Sequence, residues 1–304
     1  MSGTGLVQDF DNVLLAVGPF EVFWFGLSYT VGFAVLSLWL VARRNRFGVS
    51  ASHAVESAIV VIVFALAGAR LFDVAVYEWD WYRQRLDQII NVAAGGLATP
   101  GLLGGMLLGA MVAAMRTRTR PSVLLDELAV PACIVFGLGS VGWLIAGGDI
   151  GAPTSLPWGV VVPGVEGTRH PLAAYDALAN LALAPVLALL LDRHPAGTGL
   201  VAGAFGLGHG ALGAVVDLFS DHRAGPLGLG LELWINLGVA VLGAVVVALR
   251  WRSSPGPIPF PVVTGPPPLR ITLLVMVLLV PLAIPAGSTH DFAAQLRRAA
   301  VPSR

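Results

Sequence analysis

Twelve ionisable side chains stand in or beside apolar runs: Glu21, Arg70, Asp73, Asp126, Glu127, Asp149, Arg169, His170, Asp176, His209, Asp217 and Glu232. Near the centre of a bilayer a charge costs at least about 2.5–3.5 kcal/mol on insertion scales, so each needs a partner or a task. Arg70 and Asp73 lie three apart in Gly-Ala-Arg-Leu-Phe-Asp, a spacing that sets two helical side chains on one face and lets them pair. The same arginine suits an anionic headgroup, because its planar fork binds phosphate bidentately. Asp126 and Glu127 open an apolar run just after an arginine cluster, where acids favour the helix macrodipole and can cap the helix. Arg169, His170 and Tyr175, with Pro171 suited to a first helical turn, stand where a loop runs into a helix and can meet a lipid headgroup. His209 and Asp217 are eight residues apart. On a helix that spacing puts them on roughly one face, about 12 Å apart along the axis. The histidine is either a proton acceptor or a hydrogen-bonded packing residue. No His-x-x-Glu-His, Gly-x-Ser-x-Gly or Walker pattern occurs, so metal, serine-hydrolase and nucleotide chemistry have no support.

These groups need elements to hold them, and the composition says which. Of 304 residues, 56% are hydrophobic and 12% charged, with a mean hydropathy of +0.79. Soluble domains carry about 25% charged residues, so this chain cannot coat a water-soluble globule. A nucleic-acid binder would need a basic face, and the formal net charge is zero. The remaining class is an integral membrane protein, all-α, a polytopic bundle of helices each using about 20 residues to cross. Seven core spans are expected, at about 20–42, 54–76, 89–115, 124–146, 172–191, 199–219 and 227–249. The third looks broken in its middle by Gly95, Gly96, Pro100 and Gly101. An eighth apolar run, at about 271–286, is short for a crossing and reads as a thin span or an interfacial helix, with the span favoured. The expected units are a membrane domain over 1–252, a Pro/Gly-rich linker over 253–268 and a C-terminal apolar segment and tail over 269–304.

All 18 basic residues are arginine, and three, three, one and two of them follow the first, third, fifth and seventh runs. The positive-inside rule then sets those loops in the cytoplasm and the N-terminus outside. Trp79, Trp81 and Tyr82 fall where interfacial aromatic rings are favoured. The single cysteine, Cys133, allows no intramolecular disulfide.

The order of certain short motifs resembles that of the bacterial prolipoprotein diacylglyceryl transferase family. They are Phe10-Asp11 with Gly18-Pro19, Trp24-Phe25-Gly26, Gly68-Ala69-Arg70, Gly95-Gly96, Phe136-Gly137-Leu138-Gly139, Leu156-Pro157-Trp158-Gly159 and Arg169-His170-Pro171 with Tyr175. The likeness runs from about Phe10 to Leu249. It implies a seven-helix bundle in the bacterial plasma (inner) membrane that moves diacylglyceryl from phosphatidylglycerol to the cysteine thiol of a preprolipoprotein signal peptide, without metal or organic cofactor. Carried over residue by residue, the resemblance keeps Arg70, Arg169, His170, Tyr175 and Asp217; Arg70, Arg169 and Tyr175 are expected to bind the phospholipid, and His170 or His209 to take the thiol proton with Asp217 orienting it. The thiolate is the nucleophile, so a proton acceptor is required.

The pattern departs from the family at several places. Ser140 and Gly213 stand where the family has arginine, Pro100-Gly101-Leu102 replaces a His-Gly-Gly, Phe25 replaces a tyrosine, and Asp217 replaces a glutamate. Two readings follow: a divergent transferase, or a non-catalytic relative that binds phospholipid or lipoprotein signal peptides. A transporter is a third, suggested only by the intramembrane charges.

Overall fold

The computed structural model describes residues 6–7, 12–18, 20–46, 48–91, 95–148, 150–162, 165–194, 197–221, 230–252 and 268–286. Seven helices are long and apolar enough to cross a membrane. They are α1 (Trp24–Arg43), α2 (Ala51–Phe72), α4 (Thr99–Thr117), α5 (Pro121–Ile145), α6 (Leu172–Arg193), α7 (Leu200–Asp217) and α8 (Leu231–Arg250). A short helix, α3 (Trp79–Tyr82), follows α2. The chain is a multi-pass membrane protein. Leucine, valine and isoleucine facing outward, such as Leu38, Leu178, Leu242 and Leu249, are exposed because lipid rather than water is their solvent.

The bundle has two unlike ends. At one, the arginine-rich end, α1, α4, α6 and α8 finish and α2, α5 and α7 begin. At the other, strands gather. β2 (Val13–Val17) and β3 (Phe20–Phe23) form an antiparallel hairpin leading into α1. β1 (Leu6–Val7), β4 (Ile150–Pro153), β5 (Val160–Val161) and β6 (Thr168–Pro171) form a sheet in the order β1-β5-β6-β4. The first span therefore starts at Trp24 rather than Phe20: the alternating Phe20–Phe23 segment pairs as a strand.

α5 is the central helix, packed on α1, α6, α7 and α4, and its Asp126, Glu127, Cys133 and Phe136 are buried. Two helix pairs flank it through glycine contacts. On α2, a methyl at Gly68 would meet the Gly105 Cα of α4 at 2.8 Å. On α7, one at Gly206 would meet the Gly243 Cα of α8 at 3.3 Å. Small residues let backbones approach where van der Waals packing is the main driving force.

The third span begins at Thr99, ten residues later than the hydropathy suggests. Pro100 occupies the first turn of α4, where a missing N–H costs nothing, rather than a break within it. Gly95 and Gly96 lie outside the helix at φ +82° and +81°. The eighth apolar run forms α9 (Pro268–Leu279) and a 3₁₀ turn to Ala283. At 1.5 and 2.0 Å per residue this spans about 26 Å. Arg270 bonds the Ser52 carbonyl at the arginine-rich end, and Pro281 fills the space beside Gly26 at the strand end. The segment thus runs the depth of the bundle against α1 and α2, with Thr30 Oγ1 donating to the Leu278 carbonyl at 3.0 Å. The expected linker over 253–267 and the tail after 286 lie outside the described residues.

Candidate active site

A cavity of about 580 Å³ opens at the strand end, between the last turn of α2, the starts of α4, α6 and α8, and the ends of α5 and α7. A deeper lobe of about 130 Å³ continues toward the bundle centre. Tyr29, Thr99, Pro100, Ser140, Asp176, Asp217 and Glu232 line both. Residues 73–77 wind as a π-helical turn at the end of α2, and Asp73, Val76 and Tyr77 from that turn face the cavity. Such turns recur at functional sites because they re-aim side chains without ending the helix. The wall is rich in acceptors: Asp73, Glu78, Asp176, Asp217 and Glu232. Among the described residues no arginine lines either part, and His209 is the one imidazole.

Arg70, expected to hold a headgroup, is spent elsewhere. It is 4% exposed, and its five N–H groups meet five backbone carbonyls: Ile89 at 2.9 Å, Gln88 at 2.8 Å, Asn91 at 3.1 Å, Gly96 at 3.4 Å and Gly95. Its guanidinium also lies 4.9 Å from the ring centroid of Tyr82. Burial pushes the Tyr82 phenol up, with the neighbouring Arg70 charge acting against that. The expected pairing with Asp73 is present at 3.7 Å. Gly96 is needed here, since a Cβ at its positive φ would collide with the Asp73 carboxylate. Arg70 therefore draws Gln88, Ile89, Asn91, Gly95 and Gly96 around itself and shapes one wall of the cavity.

Arg169, His170 and Tyr175 do come together, on β6 and the first turn of α6. Trp158 Nε1 donates to Tyr175 Oη at 2.9 Å, and that oxygen lies 3.1 Å from His170 Nδ1. The His170 ring packs on Phe219 with centroids 4.9 Å apart. Arg169 pairs with Asp221 at 3.0 Å. The sheet that carries them is tied to the end of α7 by Ala152 N–H to the Phe219 carbonyl at 2.7 Å. None of Arg169, His170 and Tyr175 lines either lobe of the cavity; their neighbours on the first turn of α6, Leu172 and Ala173, do.

His209 and Asp217 share the deeper lobe, yet each bonds an asparagine rather than the other. Asn180 Nδ2 donates to the Asp176 carbonyl at 3.0 Å, which turns its Oδ1 toward His209 Nδ1 at 2.7 Å. An amide oxygen only accepts, so Nδ1 carries a proton, and in the neutral ring the lone pair is then on Nε2. Nε2 makes no hydrogen bond among the described residues, and the ring sits between Phe136 and Phe205, at 4.7 and 5.2 Å. Asn236 Nδ2 donates to Asp217 Oδ2 at 2.8 Å. Asn180, Asn236 and Tyr29 are absent from the sequence-derived candidates. The signal for the asparagines was there: an amide in a long apolar run, Ala-Asn-Leu and Ile-Asn-Leu.

Asp126 and Glu127 are fully buried at the arginine-rich end. Asp126 does not cap its own helix. Its carboxylate accepts from Gly197, Gly199 and Ala202 N–H at 3.1, 2.9 and 3.0 Å, which closes the start of α7. Glu127 pairs with Arg43 at 2.8 Å and Arg46 at 3.5 Å, and both arginines reach Asp192. Asp149 lies outside the described residues, as does Arg223.

A model of the prolipoprotein diacylglyceryl transferase family matches residues 12–249, which contain all seven spans. The chain belongs to this family. Proteins named phosphatidylglycerol–prolipoprotein diacylglyceryl transferase are similar over most of their length. The Methylibium petroleiphilum protein is 35% identical over 80% of this chain and 97% of the relative. That of Nitrosomonas europaea is 30% identical over 80% and 90%, and that of Geobacter sulfurreducens 29% over 81% and 98%. In this diacylglyceryl transferase relative, four positions expected from the sequence to depart from the family pattern lie together: Phe25, Pro100 and Ser140 line the outer cavity, and Pro100, Ser140 and Gly213 its deeper lobe. The space left by Gly213 is occupied by the Asn236 amide, whose nitrogen lies 2.8 Å from where a Cβ would stand.

Proposed function

We propose that the chain transfers diacylglyceryl from phosphatidylglycerol to the cysteine thiol of a preprolipoprotein signal peptide, in the bacterial plasma membrane with its N-terminus outside. The observation that carries this reading is the cavity between the family-matched helices, lined at its mouth by acceptors and in its depth by a neutral histidine with an open nitrogen. The glycerol hydroxyls of the headgroup are donors and match Asp176, Asp217 and Glu232. The thiol needs a proton acceptor before it can attack, and His209 Nε2 is held in that form by Asn180. The sulfur then bonds the diacylglyceryl carbon, the carbon–oxygen bond to phosphate breaks, and glycerol phosphate leaves with the electron pair. His170, within the Trp158–Tyr175 chain, and Arg169 stand beside the mouth, where the signal peptide and headgroup approach.

One observation favours the second reading, a non-catalytic relative that binds the same lipid: no described arginine lines the cavity. Removing one oxyanion donor from a transition-state clamp costs about 2.7–4 kcal/mol. Complementation of a cell depleted of its own transferase separates the two. The expected result is partial rescue by the unaltered chain, raised by Ser140→Arg. Rescue abolished by His209→Ala and retained in Asn180-intact controls supports the assigned base; no rescue under any variant, with lipid binding intact, gives the non-catalytic reading. For the topology, a cysteine placed at residue 118 is expected to resist a membrane-impermeant label in intact cells, and labelling there rejects it.

A further inference from the structure

Tyr29 is 6% exposed and lies on α1, yet its phenol makes no hydrogen bond among the described residues. It lines both the outer cavity and the deeper lobe. Its ring is held by neighbours that ask nothing of the hydroxyl. Phe25 packs edge-on with centroids 5.0 Å apart, and Phe33 lies at 6.0 Å. Gly139 on α5 makes the room for the polar end, because a Cβ there would stand 2.6 Å from the Tyr29 oxygen. The described residues give this hydroxyl no partner, and phenylalanine would fill the same space without needing one. Phe25, one turn earlier, is such a case: it lines the outer cavity with no hydroxyl at all. A hydroxyl kept where the protein gives it no acceptor, with its open side on a cavity, points to an acceptor on whatever fills the cavity.

We propose that Tyr29 is a headgroup-binding residue, donating its phenolic hydrogen to a phosphate oxygen of the phospholipid and supplying from α1 a contact that no described arginine supplies. This rests on the reading of the cavity as a phospholipid site. The surrounding chemistry agrees. The carboxylates of the wall only accept, so they suit the hydroxyls of a glycerol headgroup and repel its phosphate. The phosphate oxygens need a donor, and the phenol is a neutral one that brings no buried charge. It also lies within the lobe that holds His209, so a lipid seated on it would have its glycerol carbon in the same chamber as the proposed proton acceptor.

The test uses the purified full chain in detergent, with short-chain phosphatidylglycerol and the matching diacylglycerol as probes. Tyr29→Phe keeps the ring and removes only the hydroxyl. The expected result is a roughly tenfold loss of affinity for phosphatidylglycerol, no change toward diacylglycerol, and an unchanged melting temperature of the unliganded protein. Ser28→Ala, which removes a hydroxyl bonded within its own helix to the Trp24 carbonyl, is expected to leave both affinities as they are. Equal affinity of wild type and Tyr29→Phe for phosphatidylglycerol overturns the proposal, as does an equal loss toward both probes. Binding is read apart from transfer: loss of affinity in a chain that transfers nothing upholds Tyr29 and rejects catalysis, whereas phosphatidylglycerol failing to bind wild type rejects both.

Discussion

The two ends of this bundle bury polar groups in opposite ways. At the arginine-rich end the buried carboxylates sit among donors and cations: Asp126 accepts from three backbone N–H groups, and Glu127 lies between two arginines that also share Asp192, with Oε2 hydrogen-bonded to Arg43 and Oε1 held only by the ion pair to Arg46 at 3.5 Å. Around the cavity, Tyr29 and His209 are also buried, but the phenol and one ring nitrogen make no hydrogen bond among the described residues, and both side chains line the deeper lobe. Burial and polarity alone therefore do not mark a site. What marks it is an unused hydrogen-bonding valence on a residue that lines a cavity; Trp39 Nε1 and Glu127 Oε1 are also without a hydrogen bond but line neither lobe. Closed networks rigidify, and a group left open is costly until a ligand completes it.

If that contrast is right, substitutions at the closed end should act on stability and those at the open end on lipid binding or transfer. Asp126→Ala should have the largest effect. It strips the acceptor from the first turn of α7 and leaves three buried N–H groups, for a loss of at least about 3 kcal/mol; thermal unfolding in detergent measures it. Arg70→Ala follows, at about 3 kcal/mol, because it leaves Asp73 buried without its cation and releases the carbonyls of Gln88, Ile89, Asn91, Gly95 and Gly96. Asp73→Asn should cost less, since an amide can still meet the guanidinium. Near-wild-type melting of both variants would remove Arg70 from the structural side of the comparison. Smallest is Trp158→Phe. Trp158 is 56% exposed and only donates to Tyr175, so stability should change by less than about 0.5 kcal/mol. A large drop in transfer with unchanged melting would extend the open end outward to His170.

Most of the helices are legible because long apolar runs have few alternatives in a chain this poor in charge. The start of the third was misplaced for a reason that hydropathy cannot register. Ile89 and Ile90 read as membrane, but their stretch of chain is bent around the Arg70 guanidinium, and the carbonyls that would have made helix are turned to it. The strands escaped notice because they are short and pair with partners far along the chain, as Leu6 does with Val160. For the site, a charge-cost argument found His209, Asp217 and the Arg169–His170–Tyr175 group and passed over neutral side chains. Asn180, Asn236 and Tyr29 carry no charge, yet they fix the histidine tautomer, hold the aspartate and leave the open hydroxyl. Asp126 was recognised as a helix cap, but which helix it caps depends on how α5 and α7 cross.

The glycine contacts bear on the mechanics of the bundle. α2 with α4, and α7 with α8, touch backbone to backbone, so each pair behaves as a stiff plate with little give within it. The cavity lies between the plates, bounded by Thr99, Pro100 and Leu103 on one and Leu231, Glu232 and Ile235 on the other. The closely packed helix pairs do not include α4 with α8. Among the described residues the two plates are thus joined through α5 rather than by close packing on each other, so the α4–α8 seam is where the cavity wall has least helix packing behind it.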